Sequence, residues 1–265
     1  MSGQPTATWD DLAREMDLWG DAGRRPTLWW RDDDAVAETP ALHELKRAAQ
    51  VPLALAIIPM HLNQPLTEDF AGYLQQWPAA ALLQHGVGHL NHAGAGEKKS
   101  EFPPARPADE AAFALGMGFE MMRRMFGSAF LPVLTPPWNR IADSLLAVLP
   151  KLGFLGLSRF DEIPYRPRPG QSSGIAEVNT QVDVIDWRGG RGFAGTEMTL
   201  GRLVTHLSAR REGLVNAANP TGLLTHHLVH DTATWRFLEN LQDWLARRGE
   251  LDIFGDPRSL WPPRK

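Results

Sequence analysis

The 265-residue sequence has no cysteine, which removes disulfides, thiolate nucleophiles, iron–sulfur clusters and Cys-ligated zinc. Any metal must therefore be held by His, Asp or Glu. Tyrosine is scarce as well, with 2 residues against 10 Trp; the large indole rings suit a core or the stacking faces of sugars. No excess of positive charge exists, since the formal net charge is −4, and this argues against a nucleic-acid or anionic-lipid partner. The longest apolar run, Val51 to Met60, is far too short to span a bilayer. The N-terminus has neither a positive start nor an apolar signal stretch, so the sequence predicts a soluble, cytoplasmic protein with no membrane partner. A Gly-x-Gly-x-x-Gly is also missing after the first strand-like run, which weakens nucleotide binding.

What is present is alternation. A capping box at Thr8-Trp-Asp-Asp opens a helix that carries Trp9, Leu12, Met16 and Trp19. Strand-like runs follow at 27–31, 51–58, 80–84, 131–134, 154–158, 178–185 and 222–225, separated by helical patterns at 39–49, 67–76, 108–126 and 141–149. Leu200, Leu203 and Leu207 mark a further helix, and Trp235, Leu238, Leu241 and Leu245 the last. Within 108–126, Phe113, Met117, Met121 and Met125 recur every fourth residue and are expected to face the core. About seven short strands, most followed by a helix, predict an α/β parallel sheet covered by helices. At this length the leading architecture is a single-domain, distorted (β/α)7 TIM-like barrel, ahead of an open doubly wound sheet. The expected organisation is an N-terminal helix and lead-in over 1–26, the barrel over 27–249 and a tail over 250–265.

Four polar clusters fall at the ends of strands, where such barrels place their reactive groups. Asp32, Asp33 and Asp34 end the first strand; three successive carboxylates need a metal, a buried Arg or water to offset their repulsion. His85, His89 and His92 lie within eight positions, and the His85–His89 spacing of four lets two imidazoles meet one ion. Gly86 stands where a zincin protease carries its Glu, so that mechanism is excluded. Imidazole suits zinc first, with cobalt, manganese and nickel as alternatives, and an added carboxylate leaves a coordination position open. Pro136 and Pro137 stiffen the loop carrying Trp138 and Asn139, which can aim a backbone N–H at an oxyanion and form an aromatic wall. His226 and His227 end the last strand, where neighbours point to opposite faces and one of the two addresses the site. His230-Asp231 reads as the start of the last helix. Glu97-Lys98-Lys99-Ser100-Glu101 reads as a solvated loop or, from its place beside His92, as a lid; Arg188–Gly192 reads as an isolated RGG element, and His43, His61 and His206 as structural.

In this order, from about Thr27 to Leu245, the clusters resemble the polysaccharide deacetylases of carbohydrate esterase family 4, the NodB-homology domain. Arg31–Ala35 matches the family's Thr-Phe-Asp-Asp-Gly, which implies Asp33 as catalytic base and Asp34 as metal ligand. His85 to His89 matches His-(Ser/Thr)-x-x-His and implies two further ligands. Asp183-Val184-Ile185-Asp186-Trp187 matches Asp-x-x-Asp-Trp, and Leu224-Thr225-His226 matches Leu-x-His, implying His226 as catalytic acid. The resemblance implies one divalent cation and removal of acetyl groups from acetylated amino sugars or oligosaccharides. Trp138 and Asn139 would contact substrate or oxyanion, while Asp183, Asp186 and Arg140 would hold the ligands and the acid in place. Asp32, His92 and His227 are additional candidates, and Trp29 and Trp30 are read either as sugar-stacking rings or as core.

The sequence also departs from the pattern. Arg31 and Asp32 replace Thr-Phe, Ala35 replaces Gly, and Gly86 replaces the hydroxyl residue of the second motif. Leu134 or Thr135 stands where the third motif has an Arg, leaving Arg31, Arg140 and Arg159 as candidates to orient the base. That missing Arg favours an alternative, a non-catalytic carbohydrate-binding or regulatory barrel; a third reading is a metal-dependent hydrolase of a non-sugar amide.

Overall fold

The structure, a computed structural model, describes residues 4–161 and 175–262. Its centre is a parallel sheet built from β1 (Leu28–Ala35), β2 (Leu53–Ile57), β3 (Ala80–His85), β4 (Phe130–Thr135), β5 (Gly156–Leu157) and β7 (Thr221–Thr225). Two short stretches, Ala176–Glu177 and Val182–Asp183, form one further stave that we number β6. Its first half pairs with β5 and its second half with β7, so the sheet that runs β6-β5-β4-β3-β2-β1-β7 returns to β6. Thr180 N–H donates to the Arg159 carbonyl at 3.0 Å, and Gln181 N–H to the Gly222 carbonyl at 2.9 Å, on either side of that seam. Seven staves thus close a distorted (β/α)7 barrel, as the alternation predicts. The seam is tight at Gly222, where a Cβ would lie 2.5 Å from Trp29 Nε1 and 2.7 Å from Thr180 Cα.

The helices are α1 (Trp9–Asp21), α2 (Pro40–Ala48), α3 (Glu68–Gln75), α4 (Ala108–Phe126), the single turn α5 (Asp143–Leu146), α6 (Thr196–Arg211) and α7 (Thr232–Arg247). Thr8 and Asp11 cap α1 reciprocally, and Asp231 caps α7 by accepting from Thr234 N–H at 2.7 Å. Strand alternation divides the core. Trp29, Ala54, Ala56, Leu83 and Val133 cluster with Trp261, whereas Leu28, Trp30, Leu53, Leu55 and Ile57 pack with the helices. Trp29 and Trp30 are both buried, so neither ring is available to stack on a sugar. The segment after α7 packs against the barrel's N-terminal end: Leu28 bridges to Phe254, and Trp261 meets Trp29 edge-on at 5.6 Å.

One periodicity reading is corrected. The buried face of α4 is Ala111, Leu115, Gly118, Met122 and Phe126, spaced four, three, four and four. That pattern follows the 3.6-residue helical turn. The Phe113–Met117–Met121–Met125 row begins on the solvent side, with Phe113 72% and Met117 48% exposed, and drifts round to the core, against which Met125 packs half-buried. Among the described residues no helix is long and apolar enough to cross a membrane.

Candidate metal centre

The Asp triplet belongs to β1 itself, and alternation sorts it. Arg31 and Asp33 point one way; Asp32 points the other, where its carboxylate accepts from Thr225 Oγ1 (2.6 Å), His227 N–H (3.0 Å) and His227 Nδ1 (2.5 Å). Burial opposes the Asp32 charge, but His227 holds its carboxyl below the ordinary value. The pairing with β2 then slips between Asp32 and Ala35, and Asp34 takes a left-handed φ of 73°. This irregularity turns Asp34 back to the side that Asp33 faces, so two successive carboxylates address one mouth. His89, Trp138 and Asn139 also have left-handed φ values, of 56°, 54° and 57°. Strain of this kind in non-glycine residues gathers where side chains are aimed for function.

Asp34, His85 and His89 come together as the resemblance implies, with one ligand atom from each within 4.8 Å of the others. His85 Nε2 is 3.0 Å and His89 Nε2 3.4 Å from Asp34 Oδ1, a buried oxygen that receives no well-directed hydrogen bond. His85 Nδ1 lies 3.0 Å from the Thr135 carbonyl. A carbonyl only accepts, so Nδ1 carries the proton and Nε2 faces the carboxylate. Burial opposes ionisation of Asp34, yet His85, His226 and His89 hold its carboxyl well below the usual carboxylate range. Burial and then His85 push His89 down to about 4, so it is neutral and able to ligate at neutral pH. Burial lowers His85 while Asp33 and Asp34 pull it up, and the net direction is up. The pull that favours a proton on His85 Nε2 also favours a cation there. Two imidazoles and a carboxylate whose buried oxygen lacks a well-directed hydrogen bond fit a divalent cation with a free coordination position.

Around this centre the partners are specific. Buried Arg31 donates from Nη2 to Asp33 Oδ2 (3.0 Å) and to Asn139 Oδ1 (2.7 Å), and from Nη1 to Ser158 Oγ (2.7 Å). Of the three candidate arginines, Arg31 is the one paired with Asp33. Arg140 donates to the Lys99 carbonyl (3.0 Å), and Arg159 pairs with Glu177 (2.7 Å). His226 Nε2 is 4.0 Å from Asp33 Oδ2, and its ring stands edge-on to Trp187 at 4.7 Å. Asp183, pushed up by burial, accepts from Trp187 Nε1 at 2.8 Å and so steadies the ring beside His226. Asp186 accepts from the Arg188 and Gly189 N–H groups (3.0 and 2.9 Å), which makes the RGG stretch the turn of a small hairpin. Trp138 packs on His89 with centroids 4.3 Å apart. His227 is buried against Asp32, and His92 is exposed; neither belongs to the ligand group.

Sequence reasoning missed Glu101. The run from Glu97 is not wholly solvated: Glu101 is buried and accepts from Val87 N–H (3.0 Å) and Gly88 N–H (2.8 Å), between His85 and His89. A Cβ at Gly86 would sit 2.0 Å from Glu101 Oε2, and Gly86 has a φ of 56°. The glycine in place of the family's Ser/Thr was the available signal, because it makes room for a carboxylate that serves this loop.

No protein-family profile and no curated protein sequence matches the chain. Solved structures do. The Bc1960 peptidoglycan N-acetylglucosamine deacetylase is similar at 17% identity and TM-score 0.52, over 90% of this chain and 89% of that one. The chitin deacetylase of the fungal pathogen Colletotrichum lindemuthianum is similar at 14% identity and TM-score 0.52, over 88% and 89%. The Xyl-CE4 domain of a multidomain xylanase from the hindgut metagenome of Trinervitermes trinervoides is similar at 10% identity and TM-score 0.50, over 89% and 90%. The chain therefore has the barrel fold of the family 4 carbohydrate esterases, the polysaccharide deacetylases.

Proposed function

We propose that the protein is a metal-dependent hydrolase that removes acetyl groups from acetylated amino sugars. The observation that carries this reading is the convergence of Asp34, His85 and His89 beside an Arg31-oriented Asp33 and the His226 ring. When bound at the three ligands, a divalent cation supplies charge that polarises an acyl carbonyl and acidifies water. Asp33 takes the proton from the attacking water, with Arg31 fixing the position of the carboxylate. His226, from the neighbouring stave, gives a proton to the departing amine. Trp138 walls the site beside His89, and the N–H groups of its loop are the candidate donors to a developing oxyanion. Asn139 takes part indirectly, through Arg31.

The non-catalytic alternative drew on the absent third-motif Arg, and the Arg31–Asp33 contact supports catalysis instead. The names of the structural neighbours, deacetylases of chitin and of peptidoglycan N-acetylglucosamine, accord with an N-acetylated sugar. Acetate release from N-acetylglucosamine oligosaccharides tests the reading. Release should stop with chelator, return with zinc, and fall by about 100-fold or more in metal-loaded Asp33→Asn, the scale of a lost general base. Release that is indifferent to chelator, or undiminished in Asp33→Asn, refutes it.

A further inference from the structure

The loop between β3 and α4 carries a second feature, next to the ligands but not part of them. Residues 91–100 fold back on themselves: Asn91 Oδ1 accepts from Ala93 and Ser100 N–H (3.2 and 3.0 Å), and His92 N–H donates to the Ser100 carbonyl (2.9 Å). The fold-back is pinned to the β4 loop, where Ser100 Oγ donates to the Arg140 carbonyl (3.2 Å) and Arg140 Nη1 to the Lys99 carbonyl (3.0 Å). Both carboxylates of the segment are turned to backbone. Glu97 accepts from Gly94 N–H at 2.9 Å, and Glu101 from Val87 and Gly88 N–H.

Lys98 and Lys99 are left exposed, and among the described residues neither they nor Arg140 pair with a carboxylate. Lys99 Nζ lies 6.0 Å from the centroid of Trp138, whose ring packs on the ligand His89. A chain of net charge −4 thus presents the Lys99 ammonium beside Trp138, with the Arg140 guanidinium bonded to the carbonyl of the same lysine, on a loop already held in place. Such a rim attracts and orients an anion.

We propose that the substrate of this site carries an anionic group, phosphate or carboxylate, beside the acetylated sugar ring, and that Lys99, with Arg140, binds it while Trp138 covers the ring. The inference rests on the deacetylase reading and refines it to a substrate class. Metal-loaded protein is assayed for acetate release from N-acetylglucosamine, N-acetylglucosamine 1-phosphate and N-acetylmuramic acid, which separate a neutral sugar from phosphate and carboxylate. At least one anionic substrate should exceed the neutral one in kcat/KM by about 10-fold, mainly through KM. That ratio should shrink towards 1 in Lys99→Met, and as salt rises from roughly 0.05 to 0.5 M. Equal rates on all three sugars, or a preference that survives in Lys99→Met, overturn the proposal while leaving deacetylation standing. If no sugar releases acetate, the functional reading fails instead, and calorimetric binding of N-acetylglucosamine 1-phosphate judges the rim separately. Binding weakened about 10-fold in Lys99→Met supports it; no binding, or binding indifferent to the substitution, overturns it.

Discussion

Asp33 and His226 divide the proton transfers that the proposed reaction requires, and the chemistry of the leaving group can separate them. An amine departs only when protonated, whereas an activated phenol departs without help. His226→Ala should therefore slow acetamide hydrolysis by about 100-fold and activated acetyl esters far less. Equal losses on both would remove the acid role from His226. At this scale the sequence was informative where one residue type has one use. His85 and His89 could be picked out by spacing and chemistry, whereas Asp34 was separated from its two neighbouring carboxylates only by the family resemblance. It was less informative where the role depends on distant contacts. Arg31 was one of three candidate arginines until its guanidinium was seen to touch Asp33, Asn139 and Ser158, residues up to 127 positions away.

Elements set these side chains by their irregularities. The slipped pairing of β1 at Asp32–Ala35 brings Asp33 and Asp34 to one side, which strict alternation forbids. The loop after β3 is held by a carboxylate 16 positions beyond His85. Glu101→Ala should leave the Val87 and Gly88 N–H groups unsatisfied, lowering stability by about 1–3 kcal/mol. It should also weaken zinc binding by about 10-fold or more, because His85 and His89 lose their spacing. Denaturant melts and zinc titration measure both; unchanged zinc affinity would show that Glu101 supports the fold alone. Glu101 was hidden because a run as polar as Glu97–Glu101 reads as surface until the Val87 and Gly88 N–H groups are seen to bond its last carboxylate. On α4 the misreading was geometric: an every-fourth-residue row drifts round a helix of 3.6 residues per turn, so apolar identity alone did not give the buried face.

The whole molecule closes its barrel through two-residue strands at β5 and β6, so the number of staves was legible while their extents were not. Two buried histidines predict that acid destabilises it. Burial and then Arg210 push His206 down to about 3, and burial pushes His230 down to about 4, against an ordinary value of 6.5. Between roughly pH 6.5 and 4 the unfolded chain takes up protons that these folded histidines refuse, so their contribution to stability rises with pH and is lost on acidification. Asp32 adds to the loss at the low end: its folded pKa lies below the ordinary 3.8, so its contribution is present above that value and disappears as pH falls through the folded pKa. His206 lies outside the ligand group, bonded through Nδ1 to Thr221 Oγ1 at 2.8 Å. In metal-stripped protein, His206→Gln should flatten the pH dependence of the urea midpoint between pH 4.5 and 7. An unaltered slope would show that His206 is not refusing the proton.

The most direct test is zinc titration of metal-stripped protein, followed by calorimetry and by elemental analysis after gel filtration. One tight site per chain is expected in the wild type, retained in Asp33→Asn and abolished in Asp34→Ala. Wild-type protein that retains no zinc, or Asp34→Ala that binds it as tightly as wild type, contradicts the account at its centre.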